Sequence, residues 1–173
     1  MSQAKWKRSC TLIFTIGLCS CASYSGRDLR PGQSSLNDVR ASMGEPAAQW
    51  SNPDGSMQLS YPRGPAGFHS YMVYLDPAGR LQRIENVMDE ASFNRISKGM
   101  TESDVVRVLG PAVPAWTKSF DARRERVWEW RYCNDWSQAA RFDVFFDRDQ
   151  GTVRTSMGWP EICGVDLTCY CAH

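Results

Sequence analysis

Histidine is almost missing from this chain: His69 and His173 are the two copies in 173 residues. His69 lies in a Gly/Pro stretch and His173 is last in the sequence, so neither stands at ligand or catalytic spacing. H-E-x-x-H, G-x-S-x-G and P-loop patterns are absent, as is the EF-hand spacing. No catalytic constellation remains, so no enzyme, cofactor or resident metal is expected. Excess charge is also missing. Lys+Arg total 20 against 19 Asp+Glu, which leaves no basic field for nucleic acid. Long apolar runs are absent too. The uncharged stretch Cys10–Leu18 is nine residues, whereas a membrane-spanning helix needs roughly 20.

That short run has a context. Lys5, Lys7 and Arg8 precede it without any acid, and small residues follow it. A basic start, an apolar segment and a small-residue end make a secretory signal peptide. The end, Leu18-Cys19-Ser20-Cys21, resembles the bacterial lipobox, with Leu at −3 and an obligatory Cys. Taking Cys19 as the acceptor would put bulky Leu18 at −1, so Cys21 is the better acceptor. The resemblance implies cleavage between Ser20 and Cys21 and acylation of Cys21. Two or more acyl chains anchor stably where one binds marginally. Ala22 in place of Asp implies sorting to the outer membrane. Residues 1–20 are thus expected to be the signal and 21–29 a lipid-anchored tether. The mature chain has 153 residues; losing three bases takes Lys+Arg to 17 against 19 acids, a net charge of −2.

Compartment sets the cysteine arithmetic. Cys10 and Cys19 leave with the signal and Cys21 is lipidated. Cys133, Cys163, Cys169 and Cys171 remain, an even number in an oxidising space, so two bridges are expected. A Cys169–Cys171 bridge would close too tight a loop. Cys133 then joins Cys169 or Cys171, and Cys163 takes the other; a single bridge would be Cys133–Cys163. Metal binding by Cys169, Cys171 and His173 is the rival, but the spacing is not a C-x₂-C pattern.

The mature chain repeats itself. "SSLNDVRASMGEP" (34–46) answers "MTESDVVRVLGPA" (100–112) without a gap when Gly44 is set on Gly110. Each copy has a hydroxyl residue with an acid three later, close to a capping box. Val39 with Met43, and Val105 with Leu109, share a helix face at four-residue spacing. Gly and then Pro end each helix. Downstream, "GSMQLSYP" (55–62) answers "RVWEWRYC" (126–133), and "YMVYLD" (71–76) answers "FDVFFD" (142–147). This match sets Met57, Leu59 and Tyr61 on Trp128, Trp130 and Tyr132, each trio on one strand face. Turns and last strands follow, "LQRIENV" and "TVRTSMG". Each unit therefore reads as a helix and three antiparallel strands, and a short helix over 90–96 opens the second.

"ISKGMTESDVVRVLGP" (96–111) resembles the opening of the SmpA/OmlA (BamE-like) family of outer-membrane lipoproteins. Doubling of the unit is similar to the β-lactamase inhibitory protein fold, whose two sheets lie side by side. The implied fold class is α+β: two tandem units, 30–88 and 89–163, each a short helical opening packed on a three-stranded antiparallel sheet. A Cys-rich tail, 164–173, follows. The resemblance implies a non-enzymatic binding module on the periplasmic face, supporting outer-membrane protein assembly or envelope integrity. Its partners would be the membrane, through the acyl chains, and a protein such as the β-barrel assembly machinery. The alternatives are an inhibitor or sequestering protein, and a C-terminal metal or thiol function.

Two surfaces compete for partner binding. Trp128, Trp130 and Tyr132 are read as core, because Glu129 and Arg131 make the opposite face polar. Asp143, Asp147 and Asp149 are read as a solvated face and turn. The connection 62–70 is long for a hairpin, and such loops carry function. Arg63, Phe68 and His69 are the candidate contacts within it.

Overall fold

In the computed structural model, residues 25–164 and 167–171 are described. The expected lipidation and cleavage residues, Cys21 and Ser20, and His173 lie outside them.

The first repeat builds α1 (Leu36–Met43), then β1 (Ala48–Ser51), β2 (Met57–Pro62), β3 (Ser70–Leu75) and β4 (Leu81–Asn86), an antiparallel sheet in that order. The second builds α2 (Glu90–Phe93), α3 (Glu102–Leu109), β5 (Lys118–Phe120), β6 (Glu125–Cys133), β7 (Ala139–Asp147) and β8 (Thr152–Pro160), again in order. The fold is α+β, and each sheet has four strands where three are expected. The additions, β1 and β5, are short edge strands with exposed residues, so neither carries an alternating signal. Helix α2 is also shorter than the 90–96 segment.

The duplication extends to individual hydrogen bonds. Ser35 and Thr101 cap α1 and α3 in true capping boxes with Asp38 and Asp104. Hydrogen bonds to Ser35 and to Thr101 hold both aspartates below the usual carboxylate range. The N–H of Leu36 donates to Gly79 O, and that of Glu102 to Gly151 O. Gly32 and Gly99 donate to Leu81 O and Val153 O. Tyr61 Oη donates to Gly44 O, and Trp130 Nε1 to Gly110 O, each at 3.2 Å.

That last pair corrects the register of the repeat. Leu59 lies opposite Val73 and Tyr61 opposite Tyr71; Trp128 lies opposite Val144 and Trp130 opposite Phe142. The structural counterpart of Trp130 is thus Tyr61, two residues beyond the sequence match. A shift of two leaves every side chain on its face, so the facing survives the error.

Two cores result. Val39 and Met43 of α1 bury against Leu59, Tyr61, Val73, Leu75 and Leu81, with Leu29 packed beside them. Val105 and Leu109 of α3 bury against Trp130, Tyr132, Phe142, Val144 and Phe146. Met72, from the other face of the first sheet, belongs to this second core. The layers therefore run α1, first sheet, α3, second sheet, and α3 separates the two sheets rather than leaving them side by side.

The joint sits at the α3 C-terminus, where helix carbonyls lose their partners. Gln58 Nε2 donates to Arg107 O at 2.6 Å and Ser70 Oγ to Leu109 O at 3.1 Å. Both donors come from the first unit and both are buried.

Cys133 pairs with Cys171 and Cys163 with Cys169. Of the two pairings left open, this is the one that forms, and a lone Cys133–Cys163 bridge is not. The chain leaves β8 through β9 (Ile162–Cys163) and returns through β10 (Leu167–Thr168), a small hairpin that carries Cys171, not Cys163, to the end of β6. The bridge from Cys133 to Cys171 spans 38 residues, a closure that stabilises by about 4 kcal/mol on the chain-entropy model. With both thiols bonded, Cys169 and Cys171 offer no thiolates to a metal.

Candidate functional site

Alternation along β6 and β7 turns Trp128, Trp130, Phe142, Val144 and Phe146 toward α3. It turns Val127, Glu129, Arg131, Arg141, Asp143 and Phe145 the other way. Lys118 and Phe120 of β5 and Thr155, Met157 and Trp159 of β8 join that outer face by register. Helices α1, α2 and α3 are all committed to the two cores, so among the described residues no α-helix covers it; a single 3-10 turn, Pro114–Trp116, lays Trp116 over Arg141. Met157 is 52% exposed, Phe120 39% and Trp159 37%.

Beneath these apolar groups lies an ion cluster. Strand register sets Glu129 opposite Asp143 and Arg131 opposite Arg141, two like-charge pairs side by side. Like charges directly opposite repel, so stability requires diagonal contacts. Arg141 supplies them, pairing through Nη1 with Glu129 and through Nε with Glu161. Arg131 grips Glu161 through both oxygens, at 2.7 and 2.8 Å. Glu129 is 5% exposed and Glu161 8%. Burial pushes the Glu161 carboxyl up, but hydrogen bonds and charge from Arg131 and Arg141 outweigh it and hold it below the ordinary range. The Trp116 ring lies 4.0 Å from the Arg141 guanidinium.

Asp143 is not the solvated residue expected. Burial raises its pKa to about 6; a hydrogen bond from Trp159 and the charge of Lys118 oppose the rise, and Glu129 adds to it. Trp159 Nε1 donates to Oδ2 at 2.9 Å, while Oδ1 is buried without a partner. A proton on Asp143 relieves its repulsion with Glu129. Asp147 and Asp149 do occupy the turn, paired with Arg154 and Arg124.

Because the folded state holds a proton on Asp143 that the unfolded chain releases near pH 4, stability falls as pH rises from about 4 to 6. Discounted for a half-exposed side chain, the fall is on the order of 1–2 kcal/mol. Urea unfolding at pH 4.5 and 7 measures it; Asp143→Asn should flatten the difference, and an unchanged difference would refute the assignment.

The loop residues lie along the same side. Arg63 N–H donates to His69 O at 2.9 Å and Gly67 N–H to Arg63 O, closing the loop. The Phe68 ring lies 4.3 Å from the Arg131 guanidinium, which brings the loop against the second sheet. His69 stacks on Tyr71, and burial with the charge of Arg63 lowers its pKa. Between the loop and Pro111–Pro114 opens a cavity of about 260 Å³, with Met88 and Trp130 at its floor. Glu129 and Asp143 do not line it, so the carboxyl pair has no enclosed space for a substrate there.

No family model, no curated protein and no solved structure matches the chain.

The structure thus brings Phe68 to the edge of a face that sequence reading missed. A signal was available: folding "WEWRYCNDWSQAARFDV" about Asn134–Gln138 sets acid on acid and base on base, a pattern that demands a cluster.

Proposed function

We propose that the chain is a lipid-anchored lipoprotein of the outer membrane, facing the periplasm, and a non-enzymatic binding module of BamE-like type. It supports outer-membrane protein assembly or envelope integrity, and the outer face of its second sheet meets the partner. One observation carries the reading: all four cysteines beyond Cys21 are consumed in two bridges. Such bridges belong to an oxidising compartment, and Cys21 is left as the sole unbridged thiol of a chain cut after Ser20. The repeated unit and the exposed Phe120, Met157 and Trp159 of the outer face support the binding role. Tethering raises local concentration, so modest contacts suffice.

Intact-mass spectrometry should find a polypeptide beginning at Cys21 and carrying acyl chains; an unmodified chain beginning at Met1 would overturn the anchor. A crosslinking pull-down from membranes should recover components of the β-barrel assembly machinery. The exposed Met157 and Trp159 also suit a second reading, an inhibitor resembling the β-lactamase inhibitory protein. Recovery of a single soluble enzyme would establish that reading over the first.

A further inference from the structure

Strand β8 is a nine-residue edge strand, and the two halves of its free edge are treated differently. At the start, the segment before α3 lies alongside: Val153 N–H donates to Met100 O at 2.8 Å, and Gly99 N–H donates to Val153 O at 2.9 Å. Thr152 bridges Thr101. Beyond Val153, among the described residues, β7 is the one strand that pairs with β8. At the far end, Glu161 N–H donates to Ala139 O, toward β7. The open stretch is therefore Arg154–Pro160, and its centre is Met157.

Phase along this stretch follows from the same bonds. Glu161 turns its backbone groups toward β7, so alternation turns Trp159 and Met157 the same way and Pro160, Gly158 and Ser156 outward. The bulge between Phe145 and Phe146 absorbs the change of phase at Arg154. Pro160 has no N–H to leave unpaired. Ser156 and Gly158 present unpaired N–H and C=O groups at an edge whose side chains from Thr155 to Trp159 carry no charge. Proteins that keep such edges single protect them with Lys, Pro or a cover; here Pro160 stands at the last position and the middle is bare.

We propose that β8 pairs antiparallel with β8 of a second copy of this chain, about a two-fold axis at Met157. The register is fixed by symmetry. Ser156 faces the partner's Gly158 and Gly158 the partner's Ser156, both as hydrogen-bonded pairs, which is what the outward phase requires. Met157 meets the partner's Met157 at a close, non-hydrogen-bonded position, and Trp159 meets the partner's Thr155. The same pairing covers Met157 and Trp159, two of the most exposed apolar side chains of the outer face. Neutrality of the stretch matters, because a self-paired strand sets every charge near its own copy. The segment before α3 at one end and the departure of the chain at Glu161 at the other confine the pairing to the open stretch on both copies. Using both free edges, the dimer closes and does not propagate. An interface of this size lies in the weak class, below about 1,200 Å², so a micromolar dimer is expected.

The test uses the full chain, produced with its own N-terminus and extracted in mild detergent. Met157→Cys should yield a disulfide-linked dimer on non-reducing gels at least about ten-fold more abundant than Lys98→Cys, an exposed position in the segment that covers the start of the edge. Sedimentation at tens of micromolar should give a dimer for the unaltered chain and a monomer for Met157→Lys, with unchanged circular dichroism. Equal crosslinking at positions 157 and 98, a monomeric unaltered chain, or a Met157→Lys dimer would each overturn the proposal.

Discussion

Arg141→Met is expected to lower stability by about 3–5 kcal/mol, the range for breaking a buried ion pair on one side. Arg141 is the diagonal contact that lets Glu129 and Asp143 face each other, and its guanidinium also holds Glu161. Methionine keeps much of the stem that packs under Trp116, so the loss reports charge rather than volume. Two signatures separate this from ordinary destabilisation. The deficit should shrink between pH 7 and 5, as Asp143 takes up a proton. Glu129→Gln added to Arg141→Met should recover part of the loss, because the neutral amide removes the carboxylate left without its partner. Urea unfolding of the unaltered chain, the two single variants and the double variant measures both; a loss below about 1 kcal/mol, or one indifferent to pH, would show that Arg131 alone neutralises the cluster.

Gly110→Ala is expected to cost a further 3–5 kcal/mol or so, and roughly 10 °C in Tm, and its twin position supplies the control. Both helices end on a glycine at positive φ, 84° at Gly44 and 80° at Gly110, with extended ψ. That region is essentially reserved for glycine, so either substitution incurs about 1–3 kcal/mol of backbone strain. Gly44 looks into open space. A Cβ on Gly110 would stand 2.5 Å from Ser60 Oγ and 2.9 Å from Ser70 Oγ. Ser70 would lose its bond to Leu109 O on retreating, and Ser60 is fully buried, so its unpartnered Oγ has no solvent to turn into. The difference between the two variants therefore measures the joint between the units. Thermal unfolding that shows equal losses at both positions would mean that the first sheet and α3 separate easily.

Where the reading from sequence held, the signal was local. Capping boxes, four-residue spacing and terminal glycines fixed α1 and α3, and they sit where the pattern put them. Alternation chose the face of β6 that packs on α3, because Trp130 and Tyr132 outweigh Glu129 and Arg131 in hydrophobic area. Register within the repeat was the weaker inference: Tyr61 and Trp130 share a role through the carbonyl each bonds, and nothing in residue type announces a bond to a glycine far back in the chain. Strands β1 and β5 escaped notice because runs of four and three residues carry no period.

By itself, the amino-acid sequence determined two α+β units, the boundaries of α1 and α3, the inward faces of their strands, and a set of four cysteines that must pair among themselves. The tertiary structure alone decided that α3 lies between the sheets, that Cys171 rather than Cys169 reaches Cys133, and that Asp143 is half-buried with its Oδ1 shut away from solvent. Local patterns report which side of an element avoids solvent. Which other element covers that side depends on contacts between residues distant in the chain, and no spacing along the chain encodes them; the like-charge pairs of the β6–β7 hairpin are local, but the Glu161 that joins their cluster is not.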